Sequence, residues 1–186
     1  MKEPQFRILT VCTGNICRSP VVERLLAAEL GDGVEVGSAG TRAMVGDPID
    51  PGMVTHLNEA GRSADGFAAR QLRPRHLREA DLVLALTRAH RARIVEEVPA
   101  VLRRTFTLLE FARIVSSPEL PRTSADTPAE ALRGLVAVAA RHRSLGVVEH
   151  DDDVPDPYRQ GAAALATSYR LIADAVAAIG NAVRAV

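Results

Sequence analysis

Two cysteines and an arginine lie within seven residues near the start of the chain, and their types and spacing could support chemistry. Residues 11–20 read VCTGNICRSP, so that Cys12 and Arg18 are separated by five mainly small residues. A cysteine reacts as its thiolate, which forms more readily beside a cation or a helix N-terminus. An arginine presents a planar fork that can bind two oxygens of a phosphate. Together they predict nucleophilic phosphoryl transfer, with the thiolate beneath phosphorus.

The loop lies between a predicted strand and a predicted helix. Residues 6–12 (FRILTVC) are short, apolar and β-branched, which is typical of a buried strand. Ser19 and Pro20 have the types of an N-cap and a first helical residue, and an apolar stripe at helical spacing follows them. The free N–H groups of that helix start, together with Thr13 and Gly14, would wrap an anion.

The same pattern has other interpretations. Cysteine is often simply buried, and a cysteine and an arginine at this spacing also occur together by chance. A zinc site needs about four ligands, and no histidine lies near Cys12 and Cys17 in the sequence. A Walker A loop requires Gly-Lys-Ser or Gly-Lys-Thr, and the chain has neither. We therefore expect no metal and no other cofactor.

Length, charge and cysteine content limit the class of protein. The chain has 186 residues, enough for one domain with a substantial core, and a formal net charge of zero, which argues against a nucleic-acid or membrane partner. The N-terminus does not resemble a signal peptide, and no apolar stretch approaches the roughly 18 residues of a membrane span. Two cysteines five positions apart cannot staple the fold. We expect a cytoplasmic protein that is a monomer or a weak dimer.

Predicted strands alternate with predicted helices along the rest of the chain. The further strands are 34–40, 80–86 and 105–109, and the further helices begin near Asp50, at 87, at Thr127 (a capping box with Glu130, running to about Ser144) and near Leu165. This alternation implies βαβ units and a ligand site at the carboxyl ends of parallel strands. We predict one α/β domain over residues 1–186, with a helical elaboration near 113–150.

The string VCTGNICRSP resembles the signature of the low-molecular-weight protein tyrosine phosphatases, which combines the cysteine and arginine with an inner Gly-Asn and a second cysteine. Four more segments resemble the family, in its order: SAGT (38–41), ARQL (69–72), ADLVLALT (80–87) and the Asp-Pro of VPDPY (154–158). The resemblance covers most of residues 6–112 and 154–183. It implies a three-layer fold of the phosphotyrosine protein phosphatase I type, with a central four-stranded parallel sheet between helices, and a phosphorylated protein as substrate.

The resemblance also implies roles for the residues of the loop. Cys12 would attack phosphorus and become a cysteinyl-phosphate, while Arg18 would hold the equatorial oxygens. Ser19 would hydrogen-bond the thiolate. Asn15 would brace the loop in a left-handed conformation, with Ser38 as its partner.

Asp156 lies in an acidic, proline-containing loop. The resemblance implies that its carboxyl group protonates the leaving oxygen and then activates the hydrolytic water. Asp-Pro is also a common turn dipeptide, and Asp151, Asp152 and Asp153 lie just before it. We interpret that charge run as a solvated loop.

The residues expected around the substrate depart from the family pattern. Members that act on phosphotyrosine usually have an aromatic residue after SAGT, where this chain has Ala43 and Met44. Their acid loop often has two tyrosines, whereas here Tyr158 is followed by Arg159. Met44 and Tyr158 are therefore the candidate walls of the substrate slot. Relatives specific for phosphoarginine have threonine at the position of Ile16, so Ile16 favours an aryl phosphate.

Three features of the sequence allow more than one interpretation. Cys17 is either an apolar filler or the partner of Cys12 in a reversible, protective disulfide. The segment 113–150 is either a surface elaboration that packs its own apolar stripe or a helix that shapes the substrate site or docks a partner. The activity is hydrolysis of phosphotyrosine or a similar aryl phosphate, arsenate reduction with a small-molecule thiol on the same fold, or phosphate binding with weak catalysis.

Overall fold

A parallel sheet of four strands forms the centre of the protein, whose computed structural model describes residues 6–120, 124–143 and 151–185. The strands are β1 (Phe6–Cys12), β2 (Val34–Gly40), β3 (Leu82–Ala85) and β4 (Thr105–Thr107). The helices are α1 (Arg18–Leu30), α2 (Pro51–Glu59), α3 (Pro74–Glu79), α4 (Arg88–Glu97), α5 (Leu108–Val115), α6 (Pro128–His142) and α7 (Ala162–Arg184), and a 3₁₀ helix covers Pro99–Arg104. The strand order is β2-β1-β3-β4.

Apolar side chains of β1 alternate between the two faces of this sheet. Ile8 and Cys12 belong to a core with the buried side chains of α1, α5, α6 and α7. Leu9 and Val11 belong to a second core with those of α3, α4 and the 3₁₀ helix. Because successive side chains of a strand point to opposite faces, the buried strand separates two helical layers. The predicted three-layer α/β fold is confirmed.

The strand order places a crevice beside the end of β1. From β1 the chain passes to β2 on one side, and it returns to pair β3 on the other side, with Cys12 opposite Gly40 and Val11 opposite Ala85. Ligands in open parallel sheets bind at such a reversal, beyond the carboxyl ends of the strands. The loop after Cys12 and the segment after Ala85 therefore flank the expected site.

The predicted strand over 105–109 is shorter than expected. Pairing ends at Thr107, whose Oγ1 accepts a hydrogen bond from Glu110 N, while Glu110 Oε2 accepts one from Thr107 N, each at 3.1 Å. This reciprocal capping box satisfies two free backbone groups and starts α5 at Leu108. The prediction of strand for Leu108 and Leu109 was wrong because the cap outweighs their apolar character.

Helix α6 occupies the predicted elaboration. Thr127 Oγ1 accepts from Glu130 N at 3.2 Å, as predicted, but the Glu130 carboxylate accepts from Asp126 N at 3.1 Å, so only half of the predicted capping box forms. The helix ends at His142, and Ser144 lies outside the described residues. Leu132 is fully buried within the core that α6 shares with α5 and α7. The helix thus packs its own apolar stripe.

Helix α7 is long and apolar enough to cross a membrane by length and composition, since it has 23 residues and an 18-residue window within it has a mean hydropathy of 1.4. The prediction that no apolar stretch approaches the length of a span was therefore wrong for this segment, whose many alanines separate its few polar residues. Its Ile172, Val176 and Ile179 are buried in the core with α1 and α5, and 28% of that apolar window is buried within the structure.

If α6 is an integral part of the core, Leu132→Ala should lower the free energy of unfolding by about 2–5 kcal/mol, because it removes a fully buried side chain and leaves a cavity. The matched control is Leu102→Ala, since Leu102 is 51% exposed. We expect that change to cost less than about 0.5 kcal/mol. Urea unfolding followed by circular dichroism measures both, and equal losses would contradict the packing of α6.

Candidate active site

The loop from Cys12 to Arg18 turns through Asn15. Asn15 is fully buried and has a φ of 57°, in the left-handed region that asparagine tolerates. Its Nδ2 donates to Ser19 Oγ at 2.9 Å and to Ser38 Oγ at 2.8 Å, and its Oδ1 accepts from Arg70 N at 2.8 Å. Both the conformation and the Ser38 contact match the prediction. The amide ties the loop to α1, to β2 and to the segment around Arg70.

Hydrogen bonds converge on the sulfur of Cys12. Asn15 N donates to Cys12 Sγ at 3.3 Å, and Ser19 Oγ lies 3.0 Å from the same sulfur. Because Ser19 Oγ already accepts from the Asn15 amide, its own proton is available for the sulfur. These two contacts fix the position of the sulfur within the loop.

The predicted role of Ser19 as a helix cap was wrong. Helix α1 begins one residue earlier, at Arg18, with Cys17 at the N-cap position and no side-chain cap. Ser19 lies inside the first turn because its hydroxyl is engaged by Cys12 and Asn15. Pro20 is tolerated there, since the first N–H groups of a helix have no partner within the helix.

Arg18 joins the loop to a distant part of the chain. Its guanidinium is 4% exposed, and Nη1 donates to Val154 O at 3.0 Å while Nη2 lies 2.9 Å from Asp156 Oδ2. The Asp156 side chain is 52% exposed, and its Oδ1 accepts from Tyr158 N at 3.3 Å. The structure therefore brings the predicted acid beside the predicted phosphate-binding arginine.

Cys17 lies in the core rather than on the loop surface. It is 4% exposed, and burial, with a smaller contribution from the Asp50 carboxylate, raises the pKa of its thiol to about 12. Cys17 is thus a protonated apolar side chain at neutral pH. Both cysteines are free thiols in the structure, and the disulfide between Cys12 and Cys17 stays a prediction.

Met44, one of the predicted substrate residues, lies beside Gly14 of the loop. Gly14 O accepts from Met44 N at 2.9 Å, and a side chain added at Gly14 would lie 3.9 Å from Met44 Sδ. Met44 and Tyr158 are partly exposed, at 38% and 36%. Val45, the next residue after Met44, is 68% exposed.

His90 is a site residue that the sequence analysis missed. Its Nε2 lies 2.9 Å from Thr13 Oγ1, and its Nδ1 lies 2.9 Å from Thr87 Oγ1, the N-cap residue of α4. Burial, with a smaller contribution from the Arg18 cation, lowers the pKa of His90 to about 4. A neutral imidazole thus connects the loop after β1 to the helix after β3. The reversal of strand order between these strands is the signal that could have found it.

The described residues hold no group of three or more histidine, cysteine, aspartate or glutamate side chains that could bind a metal ion. The geometry of the site is that of a cysteine sulfur in a loop, a buried arginine that closes the loop, and a carboxylate at its edge. Such an arrangement can transfer a phosphoryl group to sulfur and then to water.

Comparison with known proteins identifies the family. A sequence model described as low molecular weight phosphotyrosine protein phosphatase matches residues 7–121. The chain belongs to the low molecular weight phosphatase family. The phosphatase activity that the Cys12 loop predicts is confirmed at the level of the family.

The phosphatase is similar to relatives of two kinds. It is 39% identical over 119 residues to the low molecular weight protein-tyrosine-phosphatase Etp of Escherichia coli K12, covering 64% of this chain and 80% of the relative. It is 42% identical over 106 residues to a protein-arginine-phosphatase of Geobacillus stearothermophilus, covering 57% and 71%. The crystal structure of the Erwinia amylovora tyrosine phosphatase AmsI superposes with a TM-score of 0.70 at 27% identity, covering 95% of this chain and 91% of that one.

The lowered pKa of His90 should make the stability of the phosphatase depend on pH. The unfolded chain protonates His90 below about pH 6.5, whereas the folded protein does so only near pH 4. The contribution of the neutral, buried His90 to the free energy of unfolding is complete above pH 6.5 and is lost as the pH falls toward 4. Urea unfolding at pH 7 and at pH 5 measures how much the free energy of unfolding falls between these two pH values. We expect that fall to be about 1–2 kcal/mol smaller for His90→Gln than for the wild type. Identical losses would contradict a neutral, buried His90.

Proposed function

We propose that the phosphatase hydrolyses phosphotyrosine in proteins, or a similar aryl phosphate, through a cysteinyl-phosphate on Cys12. The observation that supports this most directly is the contact between Arg18 and Asp156, at 2.9 Å. It puts a carboxyl group at the edge of the loop that contains the nucleophile. A nucleophile, an oxyanion-binding cation and a proton donor then act on one phosphate.

In the first step, the Cys12 thiolate forms a bond to phosphorus as the bond to the leaving oxygen breaks. Asp156 gives its proton to that oxygen, so the alcohol leaves neutral. Arg18 and the N–H groups of the loop hold the remaining oxygens through the transition state. Asn15 N and Ser19 Oγ hold the sulfur in position through their hydrogen bonds to it.

In the second step, water attacks phosphorus while the Asp156 carboxylate takes its proton. The bond between sulfur and phosphorus breaks, inorganic phosphate leaves, and Cys12 returns to the thiolate. No electrons are exchanged, and the same carboxyl group serves as acid and then as base, as microscopic reversibility requires.

Substitutions of the two central residues test this mechanism. Cys12→Ser should abolish the metal-independent, vanadate-sensitive release of phosphate from 4-nitrophenyl phosphate, because a serine hydroxyl is not ionised at neutral pH. Asp156→Ala should lower the rate by about 10²–10⁴-fold on phenyl phosphate, whose leaving oxygen needs the proton. Turnover that persists in Cys12→Ser would contradict the proposal. The matched control is Cys17→Ser, which keeps a small side chain and should retain turnover.

The choice of an aryl phosphate rests on apolar groups around the loop. Ile16 is 8% exposed and offers no hydrogen bond to a guanidinium, and Met44 is partly exposed beside Gly14. An apolar rim suits a tyrosine ring better than the polar, charged group of phosphoarginine. The phosphorylated protein itself should be retained by Cys12→Ser in a lysate and should react with an antibody against phosphotyrosine.

Replacing Ile16 tests this preference. Ile16→Thr adds a hydroxyl that can accept from the guanidinium N–H groups, so we expect the ratio of phosphoarginine to phosphotyrosine hydrolysis to rise about tenfold. Ile16→Val keeps the site apolar and serves as the control. Steady-state kcat/KM on two peptides that differ only in the phosphorylated residue gives the ratio. A wild type that prefers the phosphoarginine peptide would refute the aryl assignment.

A further inference from the structure

Two aspartates of the acidic run at 151–153 contact helices instead of facing solvent. Asp152 Oδ2 lies 3.0 Å from Arg113 Nη2 in α5. Asp153 Oδ1 accepts from Arg88 N at 2.6 Å, at the first residue of α4. Their side chains are 15% and 33% exposed. The interpretation of the run as a solvated loop was therefore wrong for these two residues, because helices that are distant in sequence offer them partners.

The contact of Asp153 uses a backbone group at the N-terminus of α4. The first N–H groups of a helix lack partners within the helix, and the helix dipole favours a negative charge beside them. Thr87 Oγ1 accepts from His90 N at 3.1 Å, and Asp153 takes the N–H of Arg88. An acceptor held by a backbone N–H has a fixed place, unlike the mobile partner in an exposed ion pair.

The next residues connect these contacts to Asp156. Val154 is fully buried, its N–H donates to Leu86 O at 2.9 Å, and its carbonyl accepts from Arg18 Nη1 at 3.0 Å. Pro155 and Pro157 restrict φ on either side of Asp156. Because this segment is short and its backbone is restricted, the position of Asp153 limits where the carboxyl group of Asp156 can lie.

We propose that Asp152 and Asp153 are positioning residues, which hold Asp156 beside the phosphate-binding loop by fastening its own loop to α5 and α4. The inference rests on the proposed function, in which Asp156 is the general acid. Neither aspartate touches the substrate. Each acts by reducing the range of positions that Asp156 occupies, and proton transfer is sensitive to that range.

The leaving group provides the test. Phenyl phosphate has a poor leaving group that needs the proton from Asp156, whereas 4-nitrophenyl phosphate has a good one that needs it much less. Asp153→Ala and Asp152→Ala should each lower kcat/KM about tenfold on phenyl phosphate and less than about twofold on 4-nitrophenyl phosphate. Asp151→Ala, which alters the exposed neighbour, should change neither value. Equal losses on both substrates, or no loss, would overturn the proposal.

Conservative and compensating variants separate positioning from simple destabilisation. Asp153→Asn keeps an oxygen that can accept from Arg88 N, so it should retain most of the activity on phenyl phosphate. Asp152→Arg and Arg113→Asp should each be impaired, and the double variant should recover because the ion pair re-forms with reversed charges. If Asp152→Ala does not fold, Arg113→Ala removes the same ion pair and tests the role of Asp152. If Asp153→Ala does not fold, Asp153→Asn tests the role of Asp153. A double variant that stays as impaired as the singles would contradict the role of Asp152.

A double-mutant cycle distinguishes failure of this inference from failure of the proposed function. If Asp156→Ala alone leaves the rate on phenyl phosphate unchanged, the assignment of the general acid fails. If Asp156→Ala lowers the rate, Asp153→Ala should have no further effect in that background, since it acts only through Asp156. A further tenfold loss in that background would overturn the positioning role while leaving the general acid in place.

Discussion

The buried guanidinium of Arg18 is the constraint on which the site depends. A cation that is 4% exposed must find hydrogen-bond acceptors, or its desolvation would cost several kcal/mol. It finds them in Val154 O and the Asp156 carboxylate, at 3.0 and 2.9 Å. The same residue starts α1 and closes the anion-binding loop. One side chain thus couples the end of the Cys12 loop, the start of α1 and the position of Asp156.

A second buried polar network gives the loop its shape. The amide of Asn15 makes hydrogen bonds to Ser19, Ser38 and Arg70, and these stabilise a left-handed backbone conformation. Ser38 Oγ donates in turn to Glu23 Oε2 at 2.6 Å. Buried polar groups that are fully hydrogen-bonded rigidify a structure, whereas partly satisfied ones destabilise it. The sulfur of Cys12 therefore lies on a loop that its hydrogen bonds hold in one conformation.

On the other side of the loop, His90 extends this rigidity into the second helical layer. It connects Thr13 to the N-cap of α4, and Asp153 occupies the next free backbone group of the same helix. The start of α4 thus supports both the loop that contains Cys12 and the segment that contains Asp156. This arrangement follows from the strand order, because β3 ends directly beside β1.

Local signals in the sequence determined most of the sheet, the long helices and the chemistry of the Cys12 loop. Periodicity identifies buried strands and helices, and Cys12 and Arg18 are close along the chain, so their spacing carries their chemistry. Tertiary structure decided the rest: the end of β4 at Thr107, the place of Ser19 inside α1, and the partners of His90, Asp152 and Asp153. The physical reason is that a hydrogen bond or an ion pair depends on which groups meet in space. A sequence states only which groups are available.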